Sequence, residues 1–288
     1  MRLGRFSALG LLIPDLRNPF YTSFAHLLEI EAEKAGYDLV LESWRMNLSR
    51  EKHCLINITE RQVDGTATFL SDNETHRPFL EEQSAKRRAF VALSVTGGKA
   101  LPVDCVLTDF SVGLHEAVDA LITLGHRHFV FLCALADGQL DGDRPQLFKT
   151  LLLSRGVAGE KCEFIRCGPT VEGAYTACLE FFHRAGTPRP TAMVALNDLS
   201  AFGALRAATE RGVQVPRDLS VVGVDNVPLA RFLPTSLSTI GQPLEEMARK
   251  TASMLFGRIA GGEHVIREQA IFPTKFIPRE SIGPAWVQ

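Results

Sequence analysis

Two strand-like runs end in pairs of side chains able to hold a small polar molecule. Residues 191–198 read TAMVALND and residues 220–226 read SVVGVDN, so Asn197-Asp198 close the first run and Asp225-Asn226 the second. Both runs are apolar or β-branched, as strands covered on both faces require. Ligands of open parallel sheets sit outside the carboxyl ends of such strands. An ionised Asp225 accepts two hydroxyl hydrogen bonds side by side, each contributing about 1.5–3 kcal/mol when desolvated. The plainer alternative is a turn-forming Asp ahead of Pro228. Asn197 offers donor and acceptor together, which suits a vicinal diol. Asp198 is expected as the N-cap of the next helix. Arg144 follows a Gly/Asp-rich loop and precedes Pro145, expected at the first position of a helix. Its fork suits sugar oxygens, carboxylates or phosphate, although a solvated loop arginine fits the pattern equally. Phe20 and Tyr21 follow the first strand, where an aromatic can stack on a sugar's C–H face. Phe20 reads as a cleft wall and Phe24 as core.

No activated nucleophile accompanies these groups, which favours binding over catalysis. The chain has no G-x-x-x-x-G-K-[ST] loop, only its final fragment at residues 96–99. It has no H-E-x-x-H, no G-x-S-x-G and no G-x-G-x-x-G after the first strand. No cofactor is implied. His126 and His128 flank Arg127 at a helix-to-strand turn and read as surface or structural histidines rather than metal ligands. The six cysteines (54, 105, 133, 162, 167, 178) form no C-x-x-C pair and read as buried free thiols in a reducing compartment.

The 288 residues are 45% hydrophobic with a formal charge of −2, ample for one large or two medium cores. That balance argues against a dedicated nucleic-acid surface. The N-terminal apolar run is halted by Pro14 and Asp15, too short for a secretory segment, and no stretch approaches a membrane span of about 18 apolar residues. The expected location is cytoplasmic.

The elements that position these groups alternate strand and helix. Strands are expected at Ala8–Ile13, Tyr37–Leu41, Thr66–Leu70, Ala89–Ser94 and Cys105–Thr108, with helices between them. A second unit begins at Asp109, with strands at Phe129–Leu132, Glu163–Arg166, Met193–Leu196 and Val221–Val224. Its helices fall at Pro145–Arg155, Val171–Ala185 and Leu199–Arg211. Two α/β units invite a cleft between them. Beyond them, Leu244, Met247, Ala248, Thr251, Met254 and Leu255 mark one face of a long helix, followed by strand-like pieces near Val265–Arg267 and Ala270–Ile277.

Taken together and in order, ALGLLIPDLRNPF, RQVDGTATF, ALITLGHRHFVFL, TAMVALNDLSAFGAL, DLSVVGVDNVPLARFLPTSLSTIGQPL and the closing PRES resemble the effector-binding core of the lac repressor (LacI/GalR) family of bacterial regulators. The resemblance implies an α/β, periplasmic-binding-protein-like (type I) fold of two doubly wound parallel-sheet subdomains joined by three crossovers. It places the first subdomain at residues 7–108 and 239–268, and the second at 109–238 and 269–288. In this scheme Ser236–Ile240 returns the chain to the first subdomain and the strand near Ala270 crosses back.

The resemblance further implies a homodimer and a sugar, sugar acid or sugar phosphate as effector. Operator DNA is expected to bind only through a helix-turn-helix head, which this chain does not include. By motif position the family's effector contacts fall on Arg144, Asn197 and Asp225, with Phe20 as a wall and Ser94 as a weaker contact. Three departures bear on the pocket: Leu147 replaces a glycine, Gly168 replaces a frequent aromatic, and Ser94 stands where the lac repressor has an aspartate. A transporter's solute-binding protein and a sugar- or nucleotide-acting α/β enzyme are the alternatives. The first needs a secretion signal, and the second an acid–base pair.

Overall fold

A computed structural model describes residues 6–95, 100–134, 143–184, 189–261 and 267–286. The fragment at 96–99, most of the Gly/Asp-rich loop and most of the piece at 265–267 lie outside them. In chain order the first unit begins with β1 (Ala8–Ile13), α1 (Pro19–Lys34), β2 (Asp38–Ser43), α2 (Leu48–Glu60), β3 (Gly65–Phe69), α3 (Asn73–Ala85), β4 (Ala89–Val95) and β5 (Asp104–Asp109). The second contains α4 (Ser111–Thr123), β6 (Phe129–Cys133), α5 (Arg144–Ser154), β7 (Cys162–Arg166), α6 (Val171–His183), β8 (Ala192–Val194), α7 (Asp198–Glu210), β9 (Ser220–Asp225) and β10 (Ser238–Gly241). The chain then adds α8 (Leu244–Ile259) and β11 (Gln269–Pro273) to the first unit and β12 (Lys275–Ile277) to the second sheet. The units are Met1–Asp109 with Pro243–Phe272, and Phe110–Gln242 with Pro273–Gln288.

The two sheets have matching strand orders: β11-β5-β4-β3-β1-β2 and β12-β10-β9-β8-β6-β7. Strands β1 to β5 pair in parallel, as do β6 to β10, and β12 closes the second sheet antiparallel to β10. Each sheet therefore reverses direction beside its first strand, the switch point at which open α/β sheets bind ligands.

Local sequence explains the elements. All six residues of β1 are buried, as a central strand under helices on both faces requires. Asn18 caps α1 by accepting from the Phe20 amide, Pro19 enters its first turn, and Gly36 leaves it at φ +76°. On α8 the expected face is buried through Met247, Ala248, Thr251, Met254 and Leu255. The bidentate Arg258–Asp104 pair (2.6 and 2.7 Å) ties α8 to β5.

The last crossings differ from the sequence expectation. Ser236–Ile240 does not return the chain to the first unit: β10 pairs with β9 (Ser238↔Val222) and is wholly buried in the second sheet. Residues 269–272 belong to the first unit, because the Cys105 amide donates to the Glu268 carbonyl (3.0 Å) and the Glu268 amide to Asp104 (2.8 Å). His126 is not on the surface. Its ring lies between Thr191 Oγ1 (2.9 Å) and the Gly283 carbonyl (3.0 Å) and bolts the C-terminal segment to the unit, and burial lowers its pKa.

Helices α6 and α7 meet backbone to backbone. A Cβ on Gly203 would lie 2.2 Å from the Val171 carbonyl oxygen and 2.7 Å from the Tyr175 nitrogen, whereas one on the exposed Gly257 of α8 meets nothing within 4 Å. Gly203→Ala is expected to cost about 1–3 kcal/mol by overpacking. Gly257→Ala should stabilise by up to about 1 kcal/mol through helix propensity. Urea unfolding of the two variants checks the opposite signs.

Candidate functional site

The carboxyl edge of the second sheet gathers polar groups from four strands. Arg144 begins α5 after β6, Asn197 and Asp198 begin α7 after β8, Asp225 ends β9, and Gln242 follows β10. Arg144 is not a solvated loop residue. It is 8% exposed, donates through Nη1 to the Leu196 carbonyl (2.9 Å) and holds its guanidinium 4.5 Å from the Phe110 ring centroid. A stacked, hydrogen-bonded arginine is fixed in orientation before any ligand arrives. Pro145 takes the second position of the helix rather than the first, behind Asp143.

The capping role falls to the other member of the Asx pair. Asn197, not Asp198, is the N-cap of α7. Its Oδ1 accepts from the Ser200 amide and hydroxyl (both 2.8 Å), and the Ser200 hydroxyl in return accepts from the Asn197 amide (3.0 Å), a capping box. Asn197 Nδ2 also donates to the Pro169 carbonyl (3.0 Å). Asn197 has the extended backbone that a cap needs (φ −154°, ψ 177°), while Asp198 already lies in the helix.

Asp198 is fully buried and joins three segments: its carboxylate accepts from the Val227 amide (2.8 Å) and the Thr239 hydroxyl (2.7 Å). Gly223 has no room for a side chain, because a Cβ there would fall 2.1 Å from Asp198 Oδ1. Burial pushes the Asp198 pKa up to about 7, against hydrogen bonds from Thr239, Val227 and Asn226 and the Arg279 charge, which favour ionisation.

Asp225 and Asn226 both have positive φ, +109° and +58°, where side chains other than glycine's are strained. The Asp225 carboxylate accepts from Gln242 Nε2 (3.0 Å), and Arg279 Nη2 donates to Asn226 Oδ1 (2.6 Å). Gln242, Phe110, Thr239 and Arg279 escaped the sequence reading. Only their types were visible there, and none lies near its partner in sequence.

In the first unit Phe20 sits in the opening turn of α1. Its buried ring packs edge-on against Tyr21 and Phe69, with centroids 5.1 and 5.9 Å away. Phe24 packs on Phe69 as core. Ser94 is a half-buried residue of β4, opposite Leu107 of β5. Among the described residues, no group of three or more His, Cys, Asp or Glu can hold a metal.

Residues 118–282 match the family model described as a periplasmic binding protein-like domain. The chain belongs to that family. It is 28% identical over 283 residues to the HTH-type transcriptional regulator DegA of Bacillus subtilis, covering 97% of this chain and 82% of that protein. It is 26% identical over 285 residues to the PurR repressor of Erwinia tasmaniensis, covering 98% and 82%. Two solved LacI family regulators share the fold. One, from Enterococcus faecium with bound ribose, has a TM-score of 0.83 at 25% identity over 97% of this chain and all of that one. The other, from Arthrobacter in complex with lactose, has a TM-score of 0.76 at 26% identity over 95% and 98%. This periplasmic-binding-protein-like chain is the ligand-binding domain of a LacI-family regulator, a family of transcriptional regulators rather than enzymes.

Within the LacI-type domain Asp198 makes a signed pH prediction. Folded, the carboxyl keeps its proton up to about pH 7; unfolded, it ionises near the ordinary carboxylate value of 3.8. Its contribution to stability is therefore complete below about pH 4 and is lost as pH rises through 7. Asp198→Asn removes that loss at a constant cost at the Val227 amide. The melting temperature of wild type relative to the variant should thus fall between pH 4 and 7.

Proposed function

We propose that the effector is a sugar or a related small polar molecule held by Arg144, Asn197 and Asp225 at the carboxyl edge of the second sheet. Phe20 and Ser94 lie at the carboxyl edge of the first unit's own sheet. The observation that carries this reading is the fixed orientation of two buried charged groups at that edge. Arg144 is held by Leu196 and Phe110, and Asp225 by Gln242. Opposite charges presented by rigid partners match a polyol's hydroxyls and add little ordering cost on binding. The ribose and lactose bound to the two solved relatives support the same ligand class.

Binding controls operator DNA through an attached helix-turn-helix head, to the extent that the effector binds two states of the protein with different affinity. The protein works in the cytoplasm, where operators are. This reading is supported by the DNA-binding regulators among the relatives. No helix among the described residues is long and apolar enough to cross a membrane.

The working form is a homodimer. Leu229 and Phe232 are 53% and 69% exposed just before Leu233 and Pro234, which line a groove with Phe202 and Leu205, and a second copy would cover these apolar side chains.

A panel of pentoses, hexoses, sugar acids and sugar phosphates should contain a member that raises the melting temperature. Asp225→Ala should abolish that shift while the unliganded melting temperature stays within a few degrees. An unaltered shift in the variant would place the effector elsewhere. Light scattering should give a dimer mass for wild type and a monomer mass for the Leu229→Glu/Phe232→Glu variant.

A further inference from the structure

The second unit holds another cavity at the opposite edge of the same sheet. It has a volume of about 710 Å³ and lies at the amino ends of β6, β8 and β9, lined by residues of the turns entering those strands, the ends of α6 and α7, and the C-terminal segment. None of its lining residues belongs to the effector site, and the five residues of β6 separate the two edges.

Four guanidinium groups line the cavity: Arg127, Arg184, Arg189 and Arg211. Arg127 donates to the carbonyls of Ile122 and His126, so its charge has no carboxylate against it in those bonds. The side chains of Arg184, Arg189 and Arg211 make no hydrogen bond or ion pair among the described residues. The two acids of the lining are already engaged, Glu163 with His128 Nε2 (2.9 Å) and Asp218 with Arg217 (3.1 Å) and the Gln214 amide (2.9 Å). Arg184 and Arg211 cap the carboxyl ends of α6 and α7, each worth about half a negative charge, so the local balance stays positive.

One further observation points to a ligand. The apolar part of the lining includes three aromatic residues, Phe181, Phe182 and a 54% exposed Trp286, beside Pro190, Val213, Leu219 and Ala285.

We propose that this cavity is a second small-molecule site, for an anion carrying a planar ring, of which nucleoside monophosphates are the accessible class. Its volume falls within the roughly 300–1,000 Å³ of small-molecule sites. The guanidinium groups take the phosphate as paired donors, and the indole and arginine faces take the base. Inorganic phosphate leaves the aromatic wall unused, and an uncharged nucleoside leaves the arginines unused.

Trp286 reports on the site, since the other tryptophan, Trp44, is 1% exposed in the core of the first unit. Titration of the purified protein with AMP should quench the indole saturably. Adenosine and inorganic phosphate should each bind at least about tenfold more weakly, a difference of about 1.4 kcal/mol. Arg184→Ala/Arg211→Ala, at two exposed positions, should weaken AMP by at least that factor with the melting temperature unchanged. Asp225→Ala should leave the AMP titration as it is. Absence of saturation in the millimolar range overturns the proposal, as does equal affinity for adenosine or phosphate. Loss of AMP binding in Asp225→Ala also overturns it, because that result assigns AMP to the effector site. Trp286→Phe, followed by calorimetry, keeps the test independent of the fluorophore: AMP must still bind, and Arg184→Ala/Arg211→Ala on that background must still weaken it.

Discussion

The carboxyl edge of the second sheet is organised by one buried group, the Asp198 carboxyl. It joins the start of α7, the turn after β9 and the strand β10, through the Val227 amide and the Thr239 hydroxyl. Thr239 Oγ1 in turn accepts from the Asn226 amide (3.2 Å), so the strained Asp225-Asn226 pair is held on its far side by the same network. Backbone at positive φ outside glycine persists only where its surroundings over-determine it. Here the surroundings are Asp198, Thr239 and Arg279, and the result is a carboxylate of Asp225 fixed beside Gln242. The cost is visible in the raised pKa of Asp198 and in Gly223, whose side chain had to be given up.

The alternation of strand and helix was legible because each crossover is local. An apolar run, a cap such as Asn18 and a stop such as Gly36 lie within one stretch of chain. The short closing strands were legible as extended pieces, but the sheet each one joins was not. β10 has four residues and β12 three, and which sheet each joins depends on partners 16 and 36 positions away, Val222 for Ser238 and Ile240 for Phe276. Strand propensity carries no information about such partners.

The candidate site was legible by residue type and obscure in its wiring. Asn197 and Asp198 are both good caps, and only the backbone angles show which of them meets the first turn. Arg144 was visible as a fork near a strand end, but Phe110, on which it stacks, lies 34 positions earlier and before a different helix. His126 looked like a turn residue because its partners, Thr191 and Gly283, come from the far side of the unit.

The same wiring explains why this site suits recognition rather than chemistry. Acid–base catalysis needs a group whose pKa lies near the working pH and whose proton can reach the substrate. Asp198 meets the first condition only. Its two oxygens are spent on Val227 and Thr239, and it is fully buried. The groups left at the edge, Arg144 and Asp225, are held in place by carbonyl, ring and amide partners that fix direction. Each of those contacts fixes the direction of a polar group at the sheet edge, and none activates a nucleophile. A regulator needs that arrangement, because a sensor must release its effector unchanged for the bound fraction to follow concentration.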